Sequence, residues 1–147
     1  MMTVVAVRSN SRYSGRMSDD SETCSAGSKR SAINPLGALL GVPNGRLLEL
    51  PDALIVQESV IKECVPVAAA KGIALDAVEM MEATREVCRK TAANLCSMLQ
   101  DLRAGRRTEI DSINGAFARF GREAGVAAPY NELLARLVRA KEREASS

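Results

Sequence analysis

Residues Ser97 to Gly115 read S-M-L-Q-D-L-R-A-G-R-R-T-E-I-D-S-I-N-G, two helical patterns separated by a Gly105-Arg106-Arg107 break. Ser97, Gln100, Asp101, Thr108, Glu109, Asp111 and Asn114 crowd around that break. After it, Ile110, Ile113, Phe117 and Phe120 recur at helical spacing and predict a buried stripe. Thr108 with Asp111 three residues on is close to a capping box, with Asp in place of Glu or Gln. Glu109 then falls in a first helical turn, where the positive end of the helix dipole favours a carboxylate. The polar cluster reads in two ways. It is either a helix corner whose polar groups are only caps, or the wall of a site for a small polar ligand.

Working outward, helical patterns fill the chain from Lys29 to its end, and no strand pattern competes within 33–147. A first helix is expected over Lys29–Leu40, bent at Pro35, followed by a Gly41–Gly45 turn and a short connection over Leu47–Leu50. Pro51 or Asp52 opens a helix that stops at Gly72, with Pro66 kinking it near Lys62. Asp76 and Glu79 form a capping box for a helix reaching about Lys90. Helices over Thr91–Ala104 and Thr108–Ala124 follow. Pro129 starts the last, in which Tyr130, Leu133, Leu134, Leu137 and Val138 mark one buried stripe before a frayed end over Lys141–Ser147. The fold class is all-α, a helical bundle.

Met1–Ser28 differ from the rest. Serines recur at Ser9, Ser11, Ser14, Ser18, Ser21, Ser25 and Ser28, with almost no apolar content after Val7. Such a composition buries too little surface to offset its ordering entropy, so residues 1–28 are expected to be a disordered leader and 29–147 the domain. Its acid-free start faintly resembles an organelle transit peptide; unrelated sequence joined to a truncated gene is the stronger reading.

Composition excludes several function classes. A net charge of +2 with mixed signs, two Phe, two Tyr and no Trp give neither a basic surface nor stacking platforms for nucleic acid. No apolar run approaches the length of a membrane span. The chain has four cysteines and no histidine, which removes Ser-His and Cys-His hydrolase chemistry and the commonest metal ligand. No metal site is expected. Cys64, Cys88 and Cys96 read as small buried residues of a reducing compartment, so the chain is expected in the cytoplasm. Arg103, Arg106 and Arg107 read as a solvated helix end, with contact to a cofactor phosphate as the alternative.

The polar stretch, together with Ile33-Asn34-Pro35-Leu36 and Gly41-Val42-Pro43-Asn44-Gly45, resembles the C-terminal signature of the ketopantoate reductases (2-dehydropantoate 2-reductases). In that family a Ser-Ser-Met-Leu-Gln-Asp stretch precedes Thr-Glu-Ile-Asp and Ile-Asn-Gly. The resemblance runs from Ile33 to Glu142. It implies an all-helical domain of the 6-phosphogluconate dehydrogenase C-terminal-like kind. In the complete enzyme a Rossmann domain binds NADPH and the helical domain holds the substrate, reducing ketopantoate to pantoate in pantothenate biosynthesis. Carried over, Asn34, Asn44 and Ser97 match substrate-contacting residues, and Glu109 matches a glutamate beside the substrate and the nicotinamide ribose. Asn offers both a donor and an acceptor to a 2-oxo acid.

Two positions of the family pattern are not matched. Its general-acid lysine lies eight residues before the Asn-Pro and an asparagine four before it; here those places hold Ala26 and Arg30. All three would face one cleft. Lys29 points away from that face, and a guanidinium is a poor proton donor. No catalytic residue is therefore assigned. With 147 residues and Arg8-Ser9-Asn10-Ser11 where a G-x-G-x-x-G turn would stand, the chain alone is expected to lack the nucleotide half and to bind no NADPH. The expectation is a substrate-side domain, inactive alone and completed by a Rossmann polypeptide in trans. The alternatives are a non-catalytic helical interaction or homodimerisation module, and a truncated gene remnant.

Overall fold

The computed structural model describes residues 17–147; the first sixteen positions of the expected leader lie outside the described residues. Among the described residues there are six α-helices: α1 (Met17–Leu40), α2 (Pro51–Ala70), α3 (Ala77–Lys90), α4 (Ser97–Arg103), α5 (Asn114–Ala124) and α6 (Pro129–Ala145). Two 3₁₀ turns, Asn44–Glu49 and Ile110–Ser112, complete it. No strand occurs among the described residues, so the all-α expectation holds.

α1 is the central helix and packs against α2, α3, α4 and α6. Its larger core joins Ile33 and Leu36 to Leu47, Val60, Ile61, Cys64, Met81 and Phe117. A second cluster lies beneath α4, where Ala38 meets Leu99, Leu102, Ile110, Ile113 and Val138. Pro51 and Pro129 open their helices as expected, because a first-turn residue needs no backbone donor. Asp76 caps α3 by accepting the Glu79 amide at 2.9 Å.

Several boundaries are corrected. The first helix begins at Met17 rather than Lys29, and the Ser-rich stretch up to Ser28 is its first half. Small side chains lie against the core there: Ser28 is fully buried, its hydroxyl donating to the Cys24 carbonyl at 2.9 Å. The helix expected over Thr91–Ala104 is helical only from Ser97, because Cys96 adopts an extended conformation and its sulfur accepts the Leu99 amide. The helix expected over Thr108–Ala124 is split, since Ile113 (φ −111°, ψ −94°) interrupts it between the 3₁₀ turn and α5. The connection expected over Leu47–Leu50 is part of a 3₁₀ turn, and α6 continues to Ala145 instead of fraying from Lys141. In α6 only Leu134 and Val138 of the expected stripe are buried; Tyr130, Leu133 and Leu137 face solvent. Ile110, Ile113 and Phe117 are buried as expected, whereas Phe120 lies only partly covered beneath the Lys71 ammonium.

Pro35 has a consequence that reaches across the fold. It lacks an N–H, so the carbonyl of Ser31, four residues back in α1, has no intrahelical donor. Asn114 supplies one: its Nδ2 donates to the Ser31 carbonyl at 3.0 Å and to Asn131 Oδ1 at 3.1 Å. Asn131 in turn donates Nδ2 to Glu63 at 2.9 Å, and Glu63 also accepts the amides of Tyr130 (2.6 Å) and Asn131 (3.0 Å). One buried carboxylate thus caps the first turn of α6 and ties it to α2.

Candidate functional site

The polar residues around the Arg-rich turn divide by what they bond. Gln100 donates to the Leu95 carbonyl (2.9 Å), and Asp101 accepts from Arg106 (3.0 Å). Thr108 bonds through both its amide (2.8 Å) and its hydroxyl to Glu142 of α6. Asp111 accepts from Arg139 (2.7 Å) and Arg107 (3.3 Å), and Asn114 is fully buried. The expected Thr108–Asp111 capping box is therefore corrected: both residues bond to α6 instead of to each other. The two cations hold the Asp111 carboxyl below its usual range, chiefly through the Arg139 hydrogen bond. Of the crowded set only Ser97 and Glu109 are exposed without such a tie.

These two stand beside α1. Ser97 is the first residue of α4 and follows Cys96, whose thiol donates to the Asn34 carbonyl at 3.4 Å. Gly37 permits this approach, because a Cβ there would sit 3.2 Å from the Cys96 sulfur. Glu109 lies 3.8 Å from Arg30, one turn before Asn34 on α1. Both partners of that ion pair are roughly half exposed or more, at 49% and 64%. Ala26 precedes Arg30 by a further turn. Asn34 itself is half-buried.

Asn44 is held differently. The Pro43-Asn44-Gly45 turn is pinned to the segment after α3, with the Asn44 amide donating to the Asn94 carbonyl (3.0 Å) and that of Gly45 to the Ala92 carbonyl (3.1 Å). A Cβ at Gly45 would come within 2.6 Å of Ala92, so only glycine fits. The Asn44 side chain donates to the Thr91 hydroxyl at 2.9 Å, and its Oδ1 is buried without a partner. The structure thus brings Glu109 to Arg30 and the start of α4 to the Asn34 carbonyl, both on α1, and turns the Asn44 amide toward Thr91. Arg30 was missed as a partner for Glu109. Its four-residue phase with Asn34 was the available signal.

Residues 29–142 match the family model described as "Ketopantoate reductase PanE/ApbA C terminal". The chain belongs to the ketopantoate reductase family. What matches is that family's all-helical C-terminal domain. Among curated relatives, the 2-dehydropantoate 2-reductase of Pyrococcus horikoshii is 42% identical over 112 residues, 76% of this chain and 37% of that protein. This chain therefore spans little more than a third of that relative's length. The PanE/ApbA family ketopantoate reductase of Ralstonia eutropha superposes with a TM-score of 0.80 at 31% identity, covering 86% of this chain and 42% of that one. A D-mandelate dehydrogenase bound to NADH and anilino(oxo)acetate gives a TM-score of 0.81 at 31% identity, covering 84% and 69%.

The residues described here offer a dinucleotide little on their own. Glu109 can accept a ribose hydroxyl, but no strand with a Gly-rich turn stands among the described residues to hold a pyrophosphate. Arg106 and Arg107 are engaged by Asp101 and Asp111. No helix among the described residues is long and apolar enough to cross a membrane.

Proposed function

We propose that this chain is the substrate side of a 2-dehydropantoate 2-reductase of pantothenate biosynthesis. Ser97 contacts the carboxylate and hydroxyl end of a 2-oxo acid or its pantoate product, Asn34 adds an amide to the same wall, and Asn44 orders the Pro43–Gly45 turn. Glu109 faces the ribose of an NADPH held by a separate nucleotide-binding domain. The observation that carries this reading is the division above. Neighbouring polar groups are engaged internally, while Ser97, next to the Cys96 that bonds the Asn34 carbonyl, and Glu109, next to Arg30, remain exposed. A hydroxyl and an amide suit a carbonyl that becomes an alcohol, since each can serve it as donor or acceptor. Four free cysteines favour a reducing compartment, hence the cytoplasm.

At Ala26 the reading meets a methyl group where the family's general-acid lysine would stand. Acid catalysis is commonly worth about 10²–10⁴ in rate. A chimera tests this, in which residues 17–142 replace the matching part of the Pyrococcus horikoshii relative. With ketopantoate, NADPH oxidation by the chimera should be slow, and Ala26→Lys should raise it by roughly 10²–10⁴. No oxidation above background by the Lys-bearing chimera would overturn the reading.

A second reading, a self-associating helical module, is favoured by the exposed Tyr130, Leu133 and Leu137 on one side of α6. Sedimentation at two concentrations tests it. A mass that stays monomeric rejects it.

A further inference from the structure

Three of the six large hydrophobic side chains exposed among the described residues, Tyr130, Leu133 and Leu137, belong to α6, and a fourth, Leu40, ends α1. With Ala140 and Glu144, which are also exposed, the α6 residues alternate at three and four positions and form one stripe along the helix. From Tyr130 to Glu144 the stripe is about 21 Å long. Its C-terminal end meets a hollow of about 410 Å³ between α6, α4 and the end of α1. Leu39, Leu40, Leu99 and Leu102 give that hollow an apolar lining, and Lys141 and Glu144 border it on α6. Three helices end there, α1 at Leu40, α4 at Arg103 and α6 at Ala145. The last turn of a helix leaves carbonyl oxygens without an intrahelical donor, so the rim is rich in acceptors, and the Glu144 carboxylate adds to them. Arg103 and Lys141 offset the negative poles of these helix ends.

We propose that this hollow receives Tyr130 of a second copy of the chain, with the two α6 helices packed antiparallel about a two-fold axis at Leu137. Tyr130 and Glu144 lie equally far from Leu137, about 10 Å along the helix in either direction. The axis therefore sets each Tyr130 opposite Glu144 of the other copy. Leu137 then meets its own symmetry mate, and Leu133 meets the alkyl stem of Lys141. A phenol suits the hollow: its ring is apolar, and its hydroxyl donates to a rim made of acceptors. Tyr130 is the one phenol among the described residues, and it is exposed. One stripe thus carries both the aromatic anchor and the pocket that takes it, which is what a self-complementary interface needs. Arg136 flanks the axis and would face its own mate, but Glu132 of the same helix neutralises it at 3.0 Å. The inference rests on the self-association reading and deepens it, since it fixes the axis and the side chain that fills the hollow.

Sedimentation of the full chain at two concentrations tests the association itself, and cysteine cross-linking tests its geometry. Leu137→Cys lies on the axis and should cross-link to its own mate when oxidised with copper phenanthroline. Tyr130→Cys alone should not, because the two sites stand about 20 Å apart along the paired helices. Combined with Glu144→Cys it should cross-link. The wild-type chain, with its four native cysteines, sets the background. Tyr130→Ala should raise the dimer dissociation constant at least about tenfold, as loss of a buried aromatic anchor does, while the helical circular dichroism stays that of the wild type. Tyr130→Phe, which keeps the ring and loses the donor, should raise it by a smaller factor, about threefold. A chain that stays monomeric at both concentrations overturns the proposal together with the reading beneath it. A dimer that survives Tyr130→Ala undiminished, that fails to cross-link through Leu137→Cys, or that cross-links through Tyr130→Cys alone keeps that reading and overturns the proposal.

Discussion

Two groups of polar side chains, similar in composition, behave oppositely. Glu63, Asn114 and Asn131 are buried and bond to one another, to the first turn of α6 and to the α1 carbonyl that Pro35 leaves free. Ser97 and Glu109 belong to the same Ser97–Gly115 stretch as Asn114, yet they stand at the surface, and Glu109 has only a long ion pair. Polar density at a helix junction therefore does not mark a site. What marks it is polarity left over once the backbone's unmet donors and acceptors are served.

Asn114→Leu leaves the Ser31 carbonyl and Asn131 Oδ1 without their donor. At about 1–3 kcal/mol for each stranded buried group, the loss should be about 3 kcal/mol in urea unfolding. If Asn114→Leu unfolds at the wild-type midpoint, the scaffold half of the account fails. Glu63→Ala should cost somewhat less, about 2 kcal/mol, because water can reach the Tyr130 end of the cap that it removes. Glu63→Gln, which keeps one acceptor oxygen, should recover part of that loss.

A smaller effect concerns pH. The Asp111 carboxyl is held low by Arg139 and then Arg107. A depressed folded value means that its contribution is present above the unfolded value, about 4, and is lost as pH falls through the folded one. The stability gap between wild type and Arg139→Met should therefore be constant near neutrality and close below about pH 4. Because the pair is largely solvated, the gap should stay under about 1 kcal/mol. A gap that widens on acidification would contradict the assignment.

Much of the fold was legible because its signals are local. Pro51, Asp76 and Pro129 each announce a helix start through the chemistry of the first turn. The start of α1 was not legible, since Ser, Gly and Cys read as a poor core-former by composition. Their smallness is what lets Ser28 be fully buried and Gly27 lie beside Phe117. In the candidate site, Ser97 and Glu109 could be read from the stretch they share. The role of Asn114 could not, because its acceptor Ser31 lies 83 positions away and becomes available only through Pro35. Arg30 as the partner of Glu109 likewise depends on how α1 lies against the 3₁₀ turn at Ile110.

The most direct test of the central claim measures unfolding and turnover on the same pair of variants. In the chimera carrying Ala26→Lys, Ser97→Ala should lower kcat/KM for ketopantoate at least tenfold while its thermal midpoint stays within about 1 °C of the parent. Asn114→Ala should lower the midpoint by several degrees. If Ser97→Ala instead lowers the midpoint and leaves kcat/KM unchanged, then Ser97 is scaffold, and the division between spent and available polar groups is wrong.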